Sequence, residues 1–184
     1  MEVGERLLGS KWFKEQVEKE AAKDEVSSSE LIGQLLSVVA AVIVIAFFAI
    51  HQTRPTGFFT DEFGTASAVL LYAMIVFGMV PPLIRFILRQ KNLARPFDAA
   101  SLALFFVGGL YFLVSFPFDF THFAEPFPRA LEFLLDWISG TLAKWVLGIG
   151  VVASPFFTAY TFLLYVGVKK RLSEIGKTER KAES

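Results

Sequence analysis

Three residues with acid–base and metal-binding side chains recur at equal spacing in the second half of the chain. Asp119, His122 and Glu125 stand three positions apart, in the pattern D-x-x-H-x-x-E. If this segment were helical, the three side chains would lie roughly along one side, because positions three apart are neighbours on a helix surface. Imidazole and carboxylate groups bind zinc and other divalent ions. The pattern therefore predicts a metal site, and His51 is the other histidine that could contribute to it.

The residues around this pattern favour a different interpretation. Pro117 and Pro126 bracket it, and phenylalanine alternates with other residues before His122, which is typical of an extended or turning loop. Neither histidine has a second histidine at a standard metal spacing. We therefore favour a loop at the membrane interface, in which the acids face water and the rings act as anchors. The rings are those of Phe116, Phe118, Phe120, Phe123 and Phe127.

Acidic residues in two segments allow a third interpretation. Asp61 and Glu62 follow the first apolar stretch, and Asp119 and Glu125 follow the third. Carboxylates around the mouth of a pore concentrate cations, so these four residues predict a cation mouth if the chain forms a channel. The sequence has no cysteine, no net charge and no phosphate-binding glycine loop. It therefore indicates no nucleic-acid partner and identifies no cofactor.

The elements that would position these residues are membrane-spanning helices. The chain has 184 residues, is 54% hydrophobic and has a mean hydropathy of +0.52. Crossing the hydrocarbon layer takes about 20 apolar residues in a helix, and backbone groups in lipid must pair within the segment. The sequence therefore predicts an all-α integral membrane protein, a four-transmembrane-helix bundle that has the lipid bilayer as a partner. The predicted spans are 31–50, 65–88, 99–116 and 146–168.

Basic residues predict the orientation. Fifteen of the 18 Lys and Arg residues lie before the first span, around the connection between the second and third spans, or after the fourth. Cytoplasmic segments are enriched in these residues, so both termini are predicted to be cytoplasmic in a multi-pass protein of the cell membrane. We expect a charged arm at 1–30, a membrane domain at 31–168 and a basic tail at 169–184. An apolar stripe predicts an amphipathic helix in the arm, through Val3, Leu7, Leu8, Trp12, Phe13 and Val17.

Residues 131–145 are too polar on one face for a fifth span. Their apolar residues recur at helical spacing, and Glu132, Asp136 and Lys144 fall on the opposite face. This pattern predicts an extracytoplasmic amphipathic helix that lies in the interface plane. The alternative is one helix over 131–168, which would be about 57 Å long and would project beyond the membrane. We favour the bend.

The predicted spans hold almost no ionisable side chains. Arg85 is the one Lys, Arg, His, Asp or Glu within them, and its long stem can reach the interface. A proton relay needs such groups inside the membrane, so the spans do not predict one. Pro81, Pro82 and Pro155 are predicted to kink their helices and to act as hinges. Small residues four apart predict close helix packing at Ser37 and Ala41, Ala99 and Ala103, and Gly150 and Ser154.

Three functions are compatible with this pattern. We favour a small polytopic protein that is a non-catalytic subunit or scaffold of a larger membrane complex, joined to other membrane subunits or to itself. The first alternative is a homo-oligomeric ion channel or transporter with an acidic extracytoplasmic mouth. The second is an interfacial metal-binding protein or enzyme that uses His51, Asp119, His122 and Glu125. The single asparagine, among many Lys and Glu residues, also suggests a thermophilic source.

Overall fold

The computed structural model describes residues 10–54 and 56–182. Its α-helices are α1 (Lys11–Ala21), α2 (Ser28–Thr53), α3 (Thr65–Leu88), α4 (Lys91–Ser115), α5 (Arg129–Glu132) and α6 (Gly140–Ala182). Turns, loops and a short 3-10 helix make up the rest of the described chain, so the all-α prediction is confirmed. Four helices, α2, α3, α4 and α6, are long and apolar enough to cross a membrane. Val3, Leu7 and Leu8 of the predicted arm helix lie outside the described residues.

Two of the spans begin close to their predicted positions. α3 covers 65–88 as predicted, and it ends where Arg89 adopts a left-handed conformation with φ of 54°. α2 begins three residues before its predicted start, because Ser27 and Glu30 form a capping box. The Ser27 hydroxyl accepts from the Glu30 amide, and the Glu30 carboxylate accepts from the Ser27 amide. The first span therefore starts at a point fixed by hydrogen bonds.

α4 begins eight residues before the predicted span, at Lys91. Asp24, in the segment between α1 and α2, supplies acceptors for this helix end. Its carbonyl accepts from the Lys91 amide at 2.8 Å, and its carboxylate accepts from the Asn92 amide at 2.7 Å. The early start places Arg95 and Asp98 within a helix that is long and apolar enough to cross a membrane. The predicted span at 99–116 left these two charges in the connection that precedes it.

The predicted interfacial helix over 131–145 is not one helix. α5 ends at Glu132, turns follow, and α6 begins at Gly140. Ser139 favours this start because its hydroxyl accepts from the Leu142 amide at 3.2 Å. The last six residues of the predicted interfacial helix therefore belong to the last membrane helix instead.

α6 continues well past residue 168, where the predicted fourth span ends. Its 43 residues extend about 64 Å at the rise of an α-helix. The described part of the predicted basic tail is therefore helical. Arg171 in this extension donates to the Glu18 carboxylate of α1 at 2.9 Å, so the extension is in contact with the rest of the protein.

α1 is the predicted amphipathic arm helix, and it packs against α6 of the same chain. Phe13 forms a buried core with Leu164 and Val168. The close approach depends on Gly167, where an added Cβ would lie 2.7 Å from a methyl carbon of Val17. Phe13 and Val17 of the predicted apolar stripe therefore pack against a helix of their own chain, whereas Trp12 is 55% exposed.

The spans pack in chain order. α2 packs on α3, α3 on α4 and α4 on α6, whereas α2 and α6 form no extensive contact within the described residues. Glycines allow the closest approaches. An added Cβ would lie 2.2 Å from the Met74 sulfur at Gly108, and 2.6 Å from Val151 Cγ2 at Gly109. Residues of all four spans line one cleft, so the row of helices is curved, with its opening between α2 and α6.

The paired prolines of α3 do not end the helix. A proline leaves the carbonyl four residues earlier without a helical donor. For Pro81 this carbonyl belongs to Phe77, and it lies 3.1 Å from the Ser101 hydroxyl of α4. The same hydroxyl lies 2.8 Å from the Phe97 carbonyl of its own helix, so the two carbonyls share its one hydrogen. For Pro82 it belongs to Gly78, which lines the cleft. Pro81 therefore frees a carbonyl that a side chain of α4 approaches, and Pro82 frees a carbonyl at a residue of the cleft.

The proline of α6 is compensated within its own helix. Pro155 frees the carbonyl of Val151, and the buried Ser154 hydroxyl donates to that carbonyl at 2.9 Å. The Thr158 hydroxyl donates to the Ser154 carbonyl one turn later, at 2.8 Å. α6 is therefore continuous through Pro155, and the role of Pro81, Pro82 and Pro155 as hinges stays a prediction.

Candidate functional site

Two loops join at one end of the helix row and form what we call the aromatic end, residues 54 and 56–64 together with 116–127. The Asp119 amide donates to the Phe58 carbonyl at 2.7 Å, and the Thr60 amide donates to the Pro117 carbonyl at 3.2 Å. These bonds hold the loops side by side. They place Phe58, which is 1% exposed, at the centre of a ring cluster.

The rings around Phe58 lie at centroid distances of 4.6 to 6.0 Å. They belong to Phe48, His51, Phe59, Phe118, Phe120 and Phe123. Offset and edge-to-face pairs of this kind add stability beyond simple burial. Several rings predicted as separate membrane anchors therefore pack on one another and close one end of the row.

His122 forms an ion pair within the second loop. Its Nδ1 lies 2.5 Å from Glu125 Oε1, and both side chains are partly exposed. The hydrogen bond to Glu125 raises the pKa of His122 above its ordinary value. Gly57 of the first loop passes beneath the imidazole with φ of +89°, and an added Cβ there would lie 3.0 Å from the ring. The loop contact at His122 therefore requires glycine at position 57.

Asp119 makes local hydrogen bonds. Its carboxylate accepts from the Thr121 hydroxyl at 2.6 Å and from the Thr121 amide at 3.0 Å. These bonds hold the pKa of Asp119 below its ordinary value and cap the 3-10 helix at Phe120–His122. The segment 119–125 is thus a short 3-10 turn, in agreement with the turning-loop interpretation.

His51 lies deeper than the other predicted ligands, at the end of α2. It is 3% exposed, and its Nδ1 shares a hydrogen bond of 2.6 Å with the Thr56 hydroxyl. Its Nε2 is buried without a partner of normal hydrogen-bond geometry. Within residues 10–54 and 56–182, no three His, Asp or Glu side chains are grouped so that they could hold a metal ion. The structure therefore does not bring His51, Asp119, His122 and Glu125 together as one ligand set.

The predicted cation mouth is divided between the two loops. Asp61 and Glu62 are exposed on the turn that follows Thr60. Asp119 and Glu125 lie in the other loop, where their carboxylates are hydrogen-bonded to Thr121 and His122. Convergence of these acids on a pore stays a prediction.

The opposite end of the row has paired charges, and we call it the charged end. It consists of three ion pairs, Arg85–Asp98, Arg95–Glu20 and Lys91–Glu30. Arg95 is the most buried member, at 6% exposure. Its guanidinium donates to Glu20 at 2.5 Å and to the Asn92 side chain at 2.9 Å.

The sequence prediction missed the charged end because it placed the third span after these residues, at 99–116. The signal that could have found it is the register of the α3–α4 hairpin. In an antiparallel hairpin, residues about equally far before and after the turn face each other. Met74 and Gly108 lie equally far along the chain from residue 91 and are in contact. The oppositely charged Arg85 and Asp98 lie almost equally far from it and form an ion pair.

The cleft extends from the charged end toward the aromatic end. It has a volume of about 860 Å³ and reaches Met74 and Phe105. The same two residues line a second, apolar cavity of about 390 Å³, whose lining also includes Phe58. The row therefore contains a cleft with charges at one end and, next to it, an apolar cavity lined by phenylalanine rings.

This arrangement is suited to binding, since its polar groups lie at one end of an apolar space. The charges at the charged end are paired, and Asp119, His122 and Glu125 at the aromatic end are bonded to close neighbours in the chain. Comparisons with protein-family models, with curated proteins and with solved structures find no match for this chain.

Proposed function

We propose that this protein is a non-catalytic subunit or scaffold of a membrane complex, and that α2 is the helix that contacts the neighbouring subunit. The observation that carries the proposal is the exposure of α2. In the most apolar stretch of 18 residues in α2, no residue is buried, whereas 22% of the residues in the corresponding stretch of α4 are buried. Lys and Arg in the flanks favour an orientation with the charged end on the cytoplasmic side.

The exposed side of α2 supports close contact with another helix. Gly33 and Ser37 are four residues apart on this side, and Ala40 follows one turn later. An added Cβ at Gly33 meets nothing within 4 Å, and the Ser37 hydroxyl is already bonded to the Gly33 carbonyl at 2.9 Å. Small residues at this spacing let helices approach closely in membranes. The proposed partner is therefore a transmembrane helix of another protein.

The experiment is photo-cross-linking in native membranes. A benzophenone amino acid is placed at Ile43 of α2, which is 63% exposed, and the matched control is placed at Ile149 of α6, which is 67% exposed. We expect Ile43 to cross-link to another membrane protein and Ile149 to cross-link to lipid. Cross-links from Ile43 to lipid alone, or only to a second copy of this chain, would contradict the proposal.

A substitution tests the same surface without a probe. Gly33→Leu adds bulk to the proposed contact, and overpacking of a helix interface typically costs about 1–3 kcal/mol. Co-purification of the partner in mild detergent should fall about tenfold. Gly148→Leu is the matched control, because an added Cβ at Gly148 also meets nothing within 4 Å and α6 is outside the proposed contact. Equal retention of the partner by both variants would remove α2 as the contact.

A further inference from the structure

We propose that the cleft binds one membrane phospholipid, with the lipid phosphate at the charged end and the hydrocarbon chains directed toward the aromatic end. The cleft of about 860 Å³ and the cavity of about 390 Å³ share Met74 and Phe105 as lining residues. Small-molecule sites typically measure about 300–1,000 Å³, so both parts have the size of a ligand site. This site is separate from the exposed side of α2 and does not depend on the proposed function.

The charged end has more hydrogen-bond donors than its ion pairs use. A guanidinium group carries five N–H donors. Arg95 uses two of them, on Glu20 and Asn92, and Arg85 uses one, on Asp98. Both arginines line the cleft. The other donors can bind an oxygen-rich anion, and phosphate is one of the groups that guanidinium binds in bidentate geometry.

The balance of charge favours a phosphate with a single negative charge. Three basic and three acidic side chains line the cleft, so the lining has no net charge to neutralise a dianion. A phosphodiester carries one negative charge, so it leaves less excess negative charge in the site than a dianion does. This favours a lipid phosphodiester over free inorganic phosphate.

The lining becomes apolar along α4 beyond the charged end. Phe105 is about 15 Å from Arg95 along the helix axis, at the rise of an α-helix. Half of the hydrocarbon layer of a bilayer is also about 15 Å thick. The cleft from Arg95 to Phe105, whose lining includes Leu102 and Leu164, thus has about the depth of one leaflet.

The opening of the row gives a route of entry. α2 and α6 form no extensive contact in the described chain, and residues of both helices line the cleft. Glu30 and Gln34 lie on the α2 side, and Tyr160 and Thr161 lie on the α6 side. A lipid can therefore enter sideways from the bilayer, with its head at the level of the charged end.

The first experiment compares two lipids on the unaltered protein. The full chain in dodecyl maltoside is mixed with dioleoylphosphatidylglycerol or with dioleoylglycerol, which has the same chains and no phosphate. Native mass spectrometry counts the bound lipids. We expect one phosphatidylglycerol per chain, with dioleoylglycerol bound at least about tenfold more weakly. Equal binding of the two lipids, or displacement of phosphatidylglycerol by millimolar inorganic phosphate, would overturn the proposal.

The second experiment fills the cleft. Gly78 lines it, and an added Cβ there meets nothing within 4 Å. Gly78→Leu should therefore fold and lower phosphatidylglycerol binding about tenfold, since its side chain occupies lipid volume. Gly33 does not line the cleft, so Gly33→Leu should bind phosphatidylglycerol like the unaltered protein. Unchanged binding by Gly78→Leu, or equal loss in both variants, would contradict a specific site.

The two glycines also separate this proposal from the proposed function. Loss of lipid in Gly78→Leu with the partner retained supports the cleft alone. Loss of the partner in Gly33→Leu with lipid retained supports the α2 contact alone. A Gly78→Leu protein that keeps its lipid overturns the lipid site even where the α2 contact is demonstrated.

Discussion

The aromatic end and the charged end bury their central residues to a similar extent but hold them by opposite means. Phe58 is 1% exposed and is surrounded by rings, whereas Arg95 is 6% exposed and donates to Glu20 and Asn92. Ring packing is mainly apolar, so it depends on shape and volume. A buried ion pair depends on its partner, because removing one charge leaves the other unpaired. We therefore expect the stability of the protein to depend on side-chain size at the aromatic end and on side-chain charge at the charged end.

The largest expected effect is at the aromatic end. Phe58→Ala should lower the free energy of unfolding by about 3–5 kcal/mol, because it removes a large side chain and leaves a cavity among rings. Chemical unfolding in detergent micelles, at low and high salt, measures the loss, which should not depend on salt. Phe133→Ala is the control: Phe133 is 66% exposed in a loop, so its loss should stay within about 0.5 kcal/mol. A Phe58→Ala protein as stable as the control would show that the rings are not tightly packed.

The next effect is at the charged end. Arg95→Met should cost about 3 kcal/mol, at the lower limit for breaking a buried pair, because its partner Glu20 is 33% exposed and can be rehydrated. The double variant Arg95→Met, Glu20→Gln should recover most of this loss, since no unpaired charge remains. The same unfolding assay measures all variants.

The comparison for Arg95 is the exposed pair Arg171–Glu18, whose side chains are 38% and 57% exposed. Arg171→Met should cost no more than about 1 kcal/mol. If Arg95→Met costs as little as Arg171→Met, the charged end is not a stabilising centre, and the contrast between the two ends disappears.

The smallest effect is the pH dependence of the His122–Glu125 pair. Glu125 raises the pKa of His122. The stabilisation is therefore complete below the ordinary histidine pKa of about 6.5 and is lost as pH rises through the raised value. The melting temperature of the unaltered protein should exceed that of His122→Gln by a small margin at about pH 5.5 and match it at about pH 8.5. Parallel melting profiles for the two proteins would show that the pair contributes no stability.

The sequence predicted the spans better than it predicted either end. The length of the apolar runs follows from the thickness of a bilayer, and the run at 65–88 has the same bounds as helix α3. The charged end depends on Glu20 and Arg95, 75 positions apart, and no local pattern shows such a pair. At the start of α6, the apolar stripe over 131–145 was misleading. Two residues were the local signal against one helix over 131–145. Gly140 is a weak helix former in its interior, and Ser139 is a residue type that caps the start of a helix.

The packing of α1 on α6 also sets an order of events during synthesis. Phe13 of α1 packs with Leu164 and Val168, so the first described helix is made well before its partner exists. Until α6 is inserted, the apolar side of α1 has no native surface to cover it, and segments exposed in this way are prone to wrong contacts. Docking of α1 is thus a late step that joins the earliest and latest described helices, because its surface on α6 is complete only after residue 168 has been made.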